Sequence, residues 1–371
     1  MAEPWLGIVE KVTEFFAPAQ LEACARRTGF VRRTSKITGK VFLALVTLGA
    51  WSTRKTSLGQ LAAKAAQLPM PVDISPEALH QRMTQRAVAF LRDLLQTAFA
   101  KLHKGDPVGD TEVWAPFTAV HIADSTGFEL PPALKELFPG SGGSATAAGA
   151  KIQLVWEYLS HSFAHLALVP GTTPDNKYID TVVGLAARGA LFLFDLGYFK
   201  TTALAQIAEA EAYFLTRLNH QVALCEAVAG RVRPVELAAW LRTAPQRLVE
   251  KALYVGAHER VAVGLVAVRV PEAIVNERRR KARARAQKRG YTPSQAHLAL
   301  LAWNLFVTNV PGSVWTAATV YKAYSLRWQA EVCQSQPIKL SWRPLRLLTT
   351  TIIYLRGLGK REHIINRLYS K

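Results

Sequence analysis

The pattern of apolar and polar positions divides the chain into a helical first part and a mixed second part. Over the first hundred residues, apolar positions recur at helical spacing, and Ser57 and Ser75 each precede such a stretch as a capping residue. Pro76 follows Ser75, and proline is favoured at the first position of a helix. We therefore predict a helical N-terminal domain over residues 1–105.

Arginines follow the second of these predicted helix starts. Arg82, Arg86 and Arg92 lie where the later helix is expected. Two short helices joined by a turn, with basic residues on the later one, are typical of DNA-reading motifs. An ordinary helical bundle with solvated arginines fits the same pattern, and the sequence leaves both alternatives open.

Short apolar runs, typical of buried strands, replace the helical spacing in the second part of the chain. The runs at 117–123 and 190–194 predict two such strands, which end directly at Asp124 and at Asp195. Further elements are predicted between them, namely strands at 151–158 and 162–169 and a helix at 179–188.

The last third of the chain contains a β-rich stretch and then a return to the main sheet. The stretch around 261–268 predicts an insertion packed beside that sheet. After it, an apolar strand is predicted at 298–310 and a helix from Trp315 through Glu331. The predicted boundaries are 118–220 for the first part of the sheet domain, 221–297 for the insertion, 298–345 for the second part and 346–371 for a short tail.

Charge indicates the class of partner. The 371 residues include 46 Lys and Arg against 27 Asp and Glu, which leaves a net charge of +19 and an isoelectric point near 10.1. Half of the residues are apolar, which is typical of a folded chain and argues against disorder. In a folded protein, so large a positive excess indicates nucleic acid as the partner.

The densest basic segment, residues 278–289, predicts a helix or an arm that contacts phosphate groups. Like charges at helical spacing repel each other unless an anion neutralises them. A solvated charged face is the ordinary alternative. The segment contains no acid and eight positive residues, namely Arg278, Arg279, Arg280, Lys281, Arg283, Arg285, Lys288 and Arg289.

The spacing of the cysteines and the length of the apolar runs indicate the cellular compartment of the protein. Cys24, Cys225 and Cys333 lie far apart, without metal-ligand spacing, which argues against a disulfide framework and fits a reducing compartment. The N-terminus lacks the apolar core of a signal peptide. The longest apolar runs fall short of the roughly 20 residues that a spanning helix needs. We therefore expect a cytoplasmic protein with no membrane role.

Three acids are the candidates for catalytic chemistry: Asp124 and Asp195 at predicted strand ends, and Glu331 on a predicted helix. On that helix Tyr324, Arg327 and Glu331 share one face, because they stand at positions i, i+3 and i+7. Three converging carboxylates suit one or two Mg²⁺ ions, which can activate water and stabilise the leaving oxygen in phosphodiester cleavage. Taken singly, each acid also fits an ordinary turn or a solvated helix surface.

Each of these acids stands in a distinctive local motif. The motifs are Ile122-Ala123-Asp124-Ser125-Thr126, the D-x-G-Y pattern of Asp195–Tyr198, and a Y-x₂-R-x₃-E pattern from Tyr324 to Glu331. A fourth segment, Tyr213–Asn219, follows the second acid. In combination they resemble the DDE transposases of bacterial insertion sequences, in the IS-four-type group with the Y-R-E-K signature. The resemblance extends over about residues 20–335.

This resemblance implies an α/β fold with an RNase H-like catalytic core, a β-rich insertion and a helical N-terminal domain that binds DNA. It implies that Asp124, Asp195 and Glu331 hold Mg²⁺, for which Mn²⁺ can substitute. The implied activity is cleavage of double-stranded DNA at transposon ends, followed by strand transfer into target DNA. It also implies a homodimer in the DNA complex and a nucleoid-associated location in the bacterial cytoplasm.

The same resemblance implies a set of DNA contacts. Tyr324 and Arg327 are expected to contact phosphate beside the metal site, and Arg217 is expected to contact DNA as well. Trp303 stands 21 residues before Tyr324. It either stacks on a flipped base or packs as a core residue of a strand, and both alternatives stay open. The basic segment adds the candidates Arg278, Arg279, Arg280, Lys281, Arg283 and Arg285.

One position departs from the family pattern. The family's lysine is expected seven residues after Glu331, where Ile338 stands. Lys339 comes one residue later, and on a helix it would lie about 80° off the face that carries Glu331. Lys339 is kept as a candidate DNA contact. Two alternatives to an active transposase remain, namely a catalytically decayed, sequence-specific DNA-binding protein derived from a transposon, and a structure-specific nuclease on the same core.

Overall fold

The structure is a computed structural model that describes residues 15–51, 57–68, 70–102, 111–130, 132–140 and 147–335. Side chains are described in these ranges except at 47–51, 99–100, 102, 111, 133 and 328–335. The chain divides into two compact units. The first runs to Gly105 and also includes Glu129–Ala150, and the second consists of Asp106–Phe128 and Lys151–Glu331.

Helices account for most of the described part of the first unit. They are α1 (Pro18–Arg27), α2 (Gly39–Trp51), α3 (Leu58–Ala65), α4 (Pro76–His80) and α5 (Gln85–Leu102). The ring of Phe30, which follows α1, stacks on Phe90 of α5 at 5.0 Å and lies 4.6 Å from Phe42 of α2. These aromatic contacts join three of the helices into one core.

Two of these helices begin at the serines that the sequence singled out. The Ser57 hydroxyl accepts a hydrogen bond from the Gln60 backbone N–H at 3.2 Å, and the Gln60 side chain accepts one from the Ser57 N–H at 2.9 Å. The Ser75 hydroxyl accepts from the backbone N–H of Ala78 at 3.1 Å, and Pro76 is the first residue of α4. Both predicted helix starts are confirmed, because capping is a local interaction.

Arg82 lies in the turn after α4 rather than on a helix. Its guanidinium donates hydrogen bonds to the Phe30 carbonyl, at 3.2 Å, and to the Ser35 hydroxyl. The helix predicted to start at Ser75 and to carry all three arginines is in fact two helices, since α4 ends at His80 and Arg86 and Arg92 lie on α5. The helical DNA-reading motif stays a prediction.

Gly39, the first residue of α2, packs against α1 and α5. A Cβ atom there would stand 3.1 Å from both the Ala25 Cβ and the Phe90 ring, and both of these side chains are fully buried. We expect Gly39→Val to lower the free energy of unfolding by about 1–3 kcal/mol, because the added methyl groups enter filled space. Urea denaturation followed by circular dichroism measures the change. In the control, Gly59→Val, the new Cβ meets only the Ser57 hydroxyl at 3.8 Å, so equal losses in both variants would contradict this packing.

Ten strands in the described part of the chain form one sheet. They are β1 (Ala119–Leu130), β2 (Ala148–Glu157), β3 (Ser162–Pro170), β4 (Ala190–Phe194), β5 (Tyr213–Arg217), β6 (Leu224–Val228), β7 (Arg231–Pro234), β8 (Leu248–Val255), β9 (Val261–Arg269) and β10 (Trp303–Thr308). Their order across the sheet is β3-β2-β1-β4-β5-β10-β9-β8-β6-β7. β1 and β4 pair in parallel, as do β4 and β5, and the pairs from β5–β10 to β6–β7 are antiparallel.

Helices of the second unit pack on both faces of this sheet, as expected for an α/β fold. They are α6 (Thr111–Trp114), α7 (Asp175–Val183), α8 (Thr201–Glu209), α9 (Leu237–Thr243), α10 (Glu272–Lys288), α11 (Gln295–Leu300) and α12 (Ala317–Ser335). Ile179 of α7 and Leu204 of α8 share one core with Phe192 of β4, and Val320 of α12 shares another with Leu193. Within the described ranges, none of the helices has both the length and the apolar character needed to cross a membrane.

The β-rich stretch extends the sheet, whereas the sequence predicted that it packs beside it. β9 pairs with β10 in antiparallel register from Arg269 opposite Trp303 to Gly264 opposite Thr308. β8 then pairs with β9, so the stretch adds strands edge to edge. The sequence correctly predicted that this stretch forms strands. It did not predict where these strands join the sheet, because strand pairing depends on residues that are distant in sequence.

Two predicted element boundaries also differ. The predicted strand at 298–310 begins as α11, where the Ser294 hydroxyl caps the helix by accepting the His297 N–H at 3.1 Å. The helix predicted at 179–188 is α7, which begins earlier and ends at Val183. Both shifts leave the order of strands and helices unchanged.

Candidate active site

Asp124 and Asp195 lie side by side on neighbouring strands. β1 and β4 pair in parallel with Ala123 opposite Phe194, and each aspartate is the next residue along its strand. Because paired strands run about 4.8 Å apart, the two carboxylates start from backbone positions at about that separation. The structure therefore brings together the two acids that the sequence placed at strand ends.

The strands continue differently after the two acids. β4 ends at Phe194 and the chain enters a turn at Leu196–Tyr198, so Asp195 follows its strand directly, as predicted. Asp124 was expected to follow its strand, but it lies inside β1, which runs on to Leu130. β1 has a second neighbour, β2, on its other edge, and this pairing allows the strand to continue past β4.

Strand alternation directs both aspartates toward the face that α12 covers. Ile122 of β1 and Leu193 of β4 belong to the core beneath α12, together with Tyr324. Asp124 and Asp195 stand two residues further along, on the same face of each strand. The helix that carries the third candidate acid therefore packs over the first two.

Tyr324 of α12 contacts Asp195 directly. Its hydroxyl donates a hydrogen bond to Asp195 Oδ1 at 3.3 Å. The side chain is 1% exposed, and its ring lies 4.7 Å from the ring of Phe306. Burial raises the pKa of Tyr324, although the charge of Arg327 opposes this, so the hydroxyl stays protonated and acts as a donor. Tyr324 thus fixes the orientation of the Asp195 carboxylate.

Arg327 and Glu331 follow Tyr324 on the same helix. Arg327 is buried, and its guanidinium lies 5.5 Å from the centre of the Tyr324 ring. Glu331 lies on α12 as predicted, but its side chain is outside the described residues. Arg217, the last residue of β5, also places positive charge near Tyr324. Arg327 and Glu331 therefore lie on the same helix as the tyrosine that contacts Asp195.

The donor set fits a hard divalent cation. Carboxylate oxygens are the ligands that Mg²⁺ prefers, and Asp124 and Asp195 offer them from adjacent strands. Among the described side chains, no three of the His, Cys, Asp or Glu type come together as a metal site. Two of the three predicted ligands are thus neighbours, and the third, Glu331, is the one whose side chain is not described.

Asp175, which the sequence analysis did not single out, anchors the strand of the first acid. Its Oδ1 accepts hydrogen bonds from the Ser125 hydroxyl at 2.9 Å, from Lys151 Nζ at 3.0 Å and from Gln153 Nε2 at 2.9 Å. Ser125 is the residue next to Asp124 in β1, and the two other donors lie in β2. One carboxylate at the start of α7 therefore holds two strands in place.

The turn after Asp195 belongs to the same network. The Tyr198 hydroxyl donates a hydrogen bond to Gln153 Oε1, and Gln153 is fully buried. A Cβ atom on Gly197 would lie 3.1 Å from Asp175 Oδ2, so the glycine allows the turn to approach this carboxylate. Burial raises the pKa of Tyr198, and the charge of Asp175 adds to the effect. The D-x-G-Y motif thus connects Asp195 to the residue that also holds the strand of the first acid.

The basic segment forms α10, and its first arginines are bound within the protein. Arg278 donates hydrogen bonds to Asn304 Oδ1 at 2.8 Å and to the carbonyls of Leu301 and Trp303. Arg279 donates to the Leu298 carbonyl at 3.2 Å. These two side chains support the start of β10. Their predicted DNA contacts stay untested, and each already has an internal partner.

The later basic residues of α10 face solvent. Arg280 and Lys281 form exposed ion pairs with Glu277 at 2.7 and 3.3 Å, and such pairs contribute little to stability. Arg283 and Arg285 are exposed. These four side chains are accessible to an anionic partner.

Trp303 and Lys339 are the two remaining candidates. Trp303 is 5% exposed in β10, and the guanidinium of Arg269 lies 4.8 Å from the centre of its ring. This placement corresponds to the core alternative for Trp303 rather than to a surface that stacks on a base. Lys339 lies outside the described residues.

Comparison with known proteins supplies a family for this arrangement. The family model for the transposase DDE domain matches residues 115–334. The chain is 30% identical over 341 residues to the transposase for insertion sequence element IS231B of Bacillus thuringiensis subsp. berliner, across 87% of this chain and 70% of that protein. It is 25% identical to the transposase for insertion sequence element IS231F of Bacillus thuringiensis subsp. israelensis, across 98% of this chain and 77% of that protein.

A relative from another genus agrees. The transposase for insertion sequence element IS1151 of Clostridium perfringens is 25% identical, across 87% of this chain and 71% of that protein. The family match covers more than half of the chain and spans the positions of Asp124, Asp195 and Glu331. The chain therefore belongs to the transposase DDE domain family.

Proposed function

We propose that this chain is a transposase that cleaves DNA at the ends of a mobile element and transfers the cleaved strand into target DNA. The observation that carries the proposal is the pair Asp124 and Asp195 on adjacent parallel strands, beneath the helix that bears Glu331. Membership of the family and the transposase relatives support the same activity.

The catalytic core in this proposal is RNase H-like. The strand order β3-β2-β1-β4-β5, with β1, β4 and β5 parallel, supports this assignment. The first acid comes from β1, the second from the residue after β4, and the third from α12. The strands β6 to β9 would then be an insertion that joins the sheet through β10, with the boundaries 118–220, 221–297 and 298–345.

The cofactor in this proposal is Mg²⁺, with Mn²⁺ as a substitute, held by Asp124, Asp195 and Glu331. When bound, the metal supplies activation of the attacking hydroxyl and stabilisation of the leaving oxygen. Tyr324 keeps Asp195 oriented through its hydroxyl, and Arg327 adds positive charge beside the carboxylates, where the phosphodiester would lie.

Double-stranded DNA is the partner in this proposal, and the net charge of +19 supports it. Arg283 and Arg285 are exposed phosphate contacts, Arg280 and Lys281 can exchange Glu277 for phosphate, and Arg217 lies nearer the acids. A homodimer on the paired ends, a DNA-binding role for the N-terminal helices, and a nucleoid-associated location in the bacterial cytoplasm belong to the same proposal.

An end-cleavage assay tests this function. The substrate is a labelled duplex that carries the inverted repeat bordering the gene, incubated with the purified chain and Mg²⁺. We expect a nick that leaves a 3′-hydroxyl at the repeat, and no product when EDTA removes the metal. Product is separated on a denaturing gel.

Two other results would favour the alternatives. Specific binding of the repeat without any nicking, in Mg²⁺ and in Mn²⁺, would indicate a decayed DNA-binding protein. Equal cleavage of the repeat and of an unrelated duplex of the same length would indicate a structure-specific nuclease. An unrelated duplex is therefore included in every assay.

A further inference from the structure

A groove of about 990 Å³ opens in the second unit. Leu196, the residue after Asp195, lines it, and the Leu196 side chain is 38% exposed. The rest of the lining comes from α9, α10 and α11, from the start of β6 and from the segments beside these elements. The groove therefore reaches the residue that follows the second candidate acid.

The charge of this groove is positive. Lys281 and Arg285 of α10 and Arg289, the residue after it, line the groove at positions i, i+4 and i+8, so they follow one side of the helix at steps of about 6 Å. Among the described carboxylates, none pairs with Arg285 or Arg289, and Glu236 is the one acid in the lining. A row of evenly spaced cations suits a linear polyanion.

Exposed rings accompany these cations. Tyr291 lines the groove with 53% of its surface exposed. His220 and His297 also line it, with ring centres 5.0 Å apart and a hydrogen bond of 3.1 Å between their ring nitrogens. Burial lowers the pKa of His220, and the charge of His297 acts in the same direction, which favours the uncharged His220 ring. Aromatic rings beside cations form stacking platforms.

We propose that this groove binds a single-stranded segment of DNA, with its phosphates along Lys281, Arg285 and Arg289 and its bases against Tyr291 and the two histidines. This inference rests on the proposed function, since the strand would be one that leads away from the cleaved phosphodiester. A duplex keeps its bases stacked inside and offers no free base to these rings. An acidic peptide would use the cations but not the rings.

Binding of a fluorescein-labelled oligothymidylate of about 20 nucleotides, measured by anisotropy without metal, tests the groove. Tyr291→Ala should weaken binding roughly 5- to 100-fold, and Tyr291→Phe should restore it, because the ring rather than the hydroxyl stacks. Arg285→Ala should lower the slope of log affinity against log salt by about 0.7, the value for one phosphate contact on a single strand.

Arg231→Ala is the charge-matched control. Arg231 is exposed at the start of β7 and does not line the groove. We expect it to bind the oligonucleotide with the parent slope. Equal binding by the Arg285→Ala and Arg231→Ala variants, or displacement by polyglutamate as effective as by unlabelled oligonucleotide, would overturn the proposal.

The assay separates this inference from the proposed function. Oligonucleotide binding is read without metal and therefore without cleavage. If the parent chain nicks its end duplex while the Tyr291→Ala variant binds the oligonucleotide normally, the groove assignment fails and the transposase assignment stands. If Tyr291→Ala loses oligonucleotide binding while the parent chain never nicks, the groove stands and the transposase assignment fails.

Discussion

Asp195→Asn is expected to lower metal-dependent cleavage of the end duplex by about 10³-fold or more, with DNA binding unchanged. Asparagine keeps an oxygen that can accept the hydrogen bond from Tyr324, so α12 stays packed over β4. The substitution removes the charge on which metal coordination depends, and metal ions supply several kcal/mol of transition-state stabilisation. Single-turnover cleavage and gel-shift titration on the same duplex measure the two quantities.

Two further variants show whether the loss of cleavage in Asp195→Asn comes from the loss of a metal ligand. Asp180→Asn removes an exposed carboxylate of α7 that pairs with Lys200, and it should cleave at the parent rate. Tyr324→Phe deletes only the hydroxyl that orients Asp195, and its loss should be smaller, roughly 10- to 100-fold. If Asp195→Asn kept more than about a tenth of the parent rate, Asp195 would not be a metal ligand.

The positions of these acids could be predicted because their signal is local. A buried parallel strand appears in the sequence as a continuous apolar run, so residues 190–194 predict β4 and place Asp195 directly after it. The helix starts at Ser57 and Ser75 are equally local, because a cap involves residues only three positions apart. The spacing of Tyr324 and Arg327 likewise placed both on one face of α12.

Strand lengths and partners could not be predicted in the same way. Asp124 ends an apolar run, yet β1 continues through polar residues to Leu130 because β2 lies along its other edge. The apolar run at 261–268 predicts a strand, but no residue within the run indicates that this strand pairs with β10. Pairing is decided by residues that are distant in sequence, which a single-chain pattern does not contain.

The basic helix shows a related limit. A count of charges treats Arg278 and Arg285 alike, since both lie in one run. The structure distinguishes them, because Arg278 binds carbonyls at the start of β10 and Arg285 lines an open groove. The carbonyl partners come from a segment more than 20 residues later, so composition alone could not separate a structural arginine from one available to DNA.

Asp175 was missed for the same reason. Its three donors are separated from it by 50, 24 and 22 residues, at Ser125, Lys151 and Gln153. Locally, Asp175 is an aspartate in the first turn of a helix, which is a common place for one. The only further signal is Gly197, whose missing side chain leaves space for the Asp175 carboxylate.

Asp175→Ala is expected to lower cleavage roughly 10- to 100-fold, the range found when a partner behind a metal ligand is removed. The variant leaves Lys151 and the fully buried Gln153 without their shared acceptor, which should lower the free energy of unfolding by about 1–3 kcal/mol. Asp175→Asn retains an acceptor oxygen but not the charge opposite Lys151, and its losses should be intermediate. Urea denaturation and single-turnover cleavage measure the two effects.

The Mg²⁺ requirement separates positioning from simple support of the fold. If Asp175 sets the positions of Asp124 and Asp195 through Ser125 and the turn at Gly197, the variant needs more Mg²⁺ for half-maximal cleavage, because misplaced carboxylates bind the ion less tightly. A variant that is only less stable would show a smaller active fraction at the parent Mg²⁺ midpoint. Asp180→Ala, on the same helix, should leave both the midpoint and the amplitude unchanged. An unshifted midpoint for Asp175→Ala would therefore restrict Asp175 to holding the fold, and a raised midpoint with partial recovery in Asp175→Asn would establish it as a positioning residue for both aspartates.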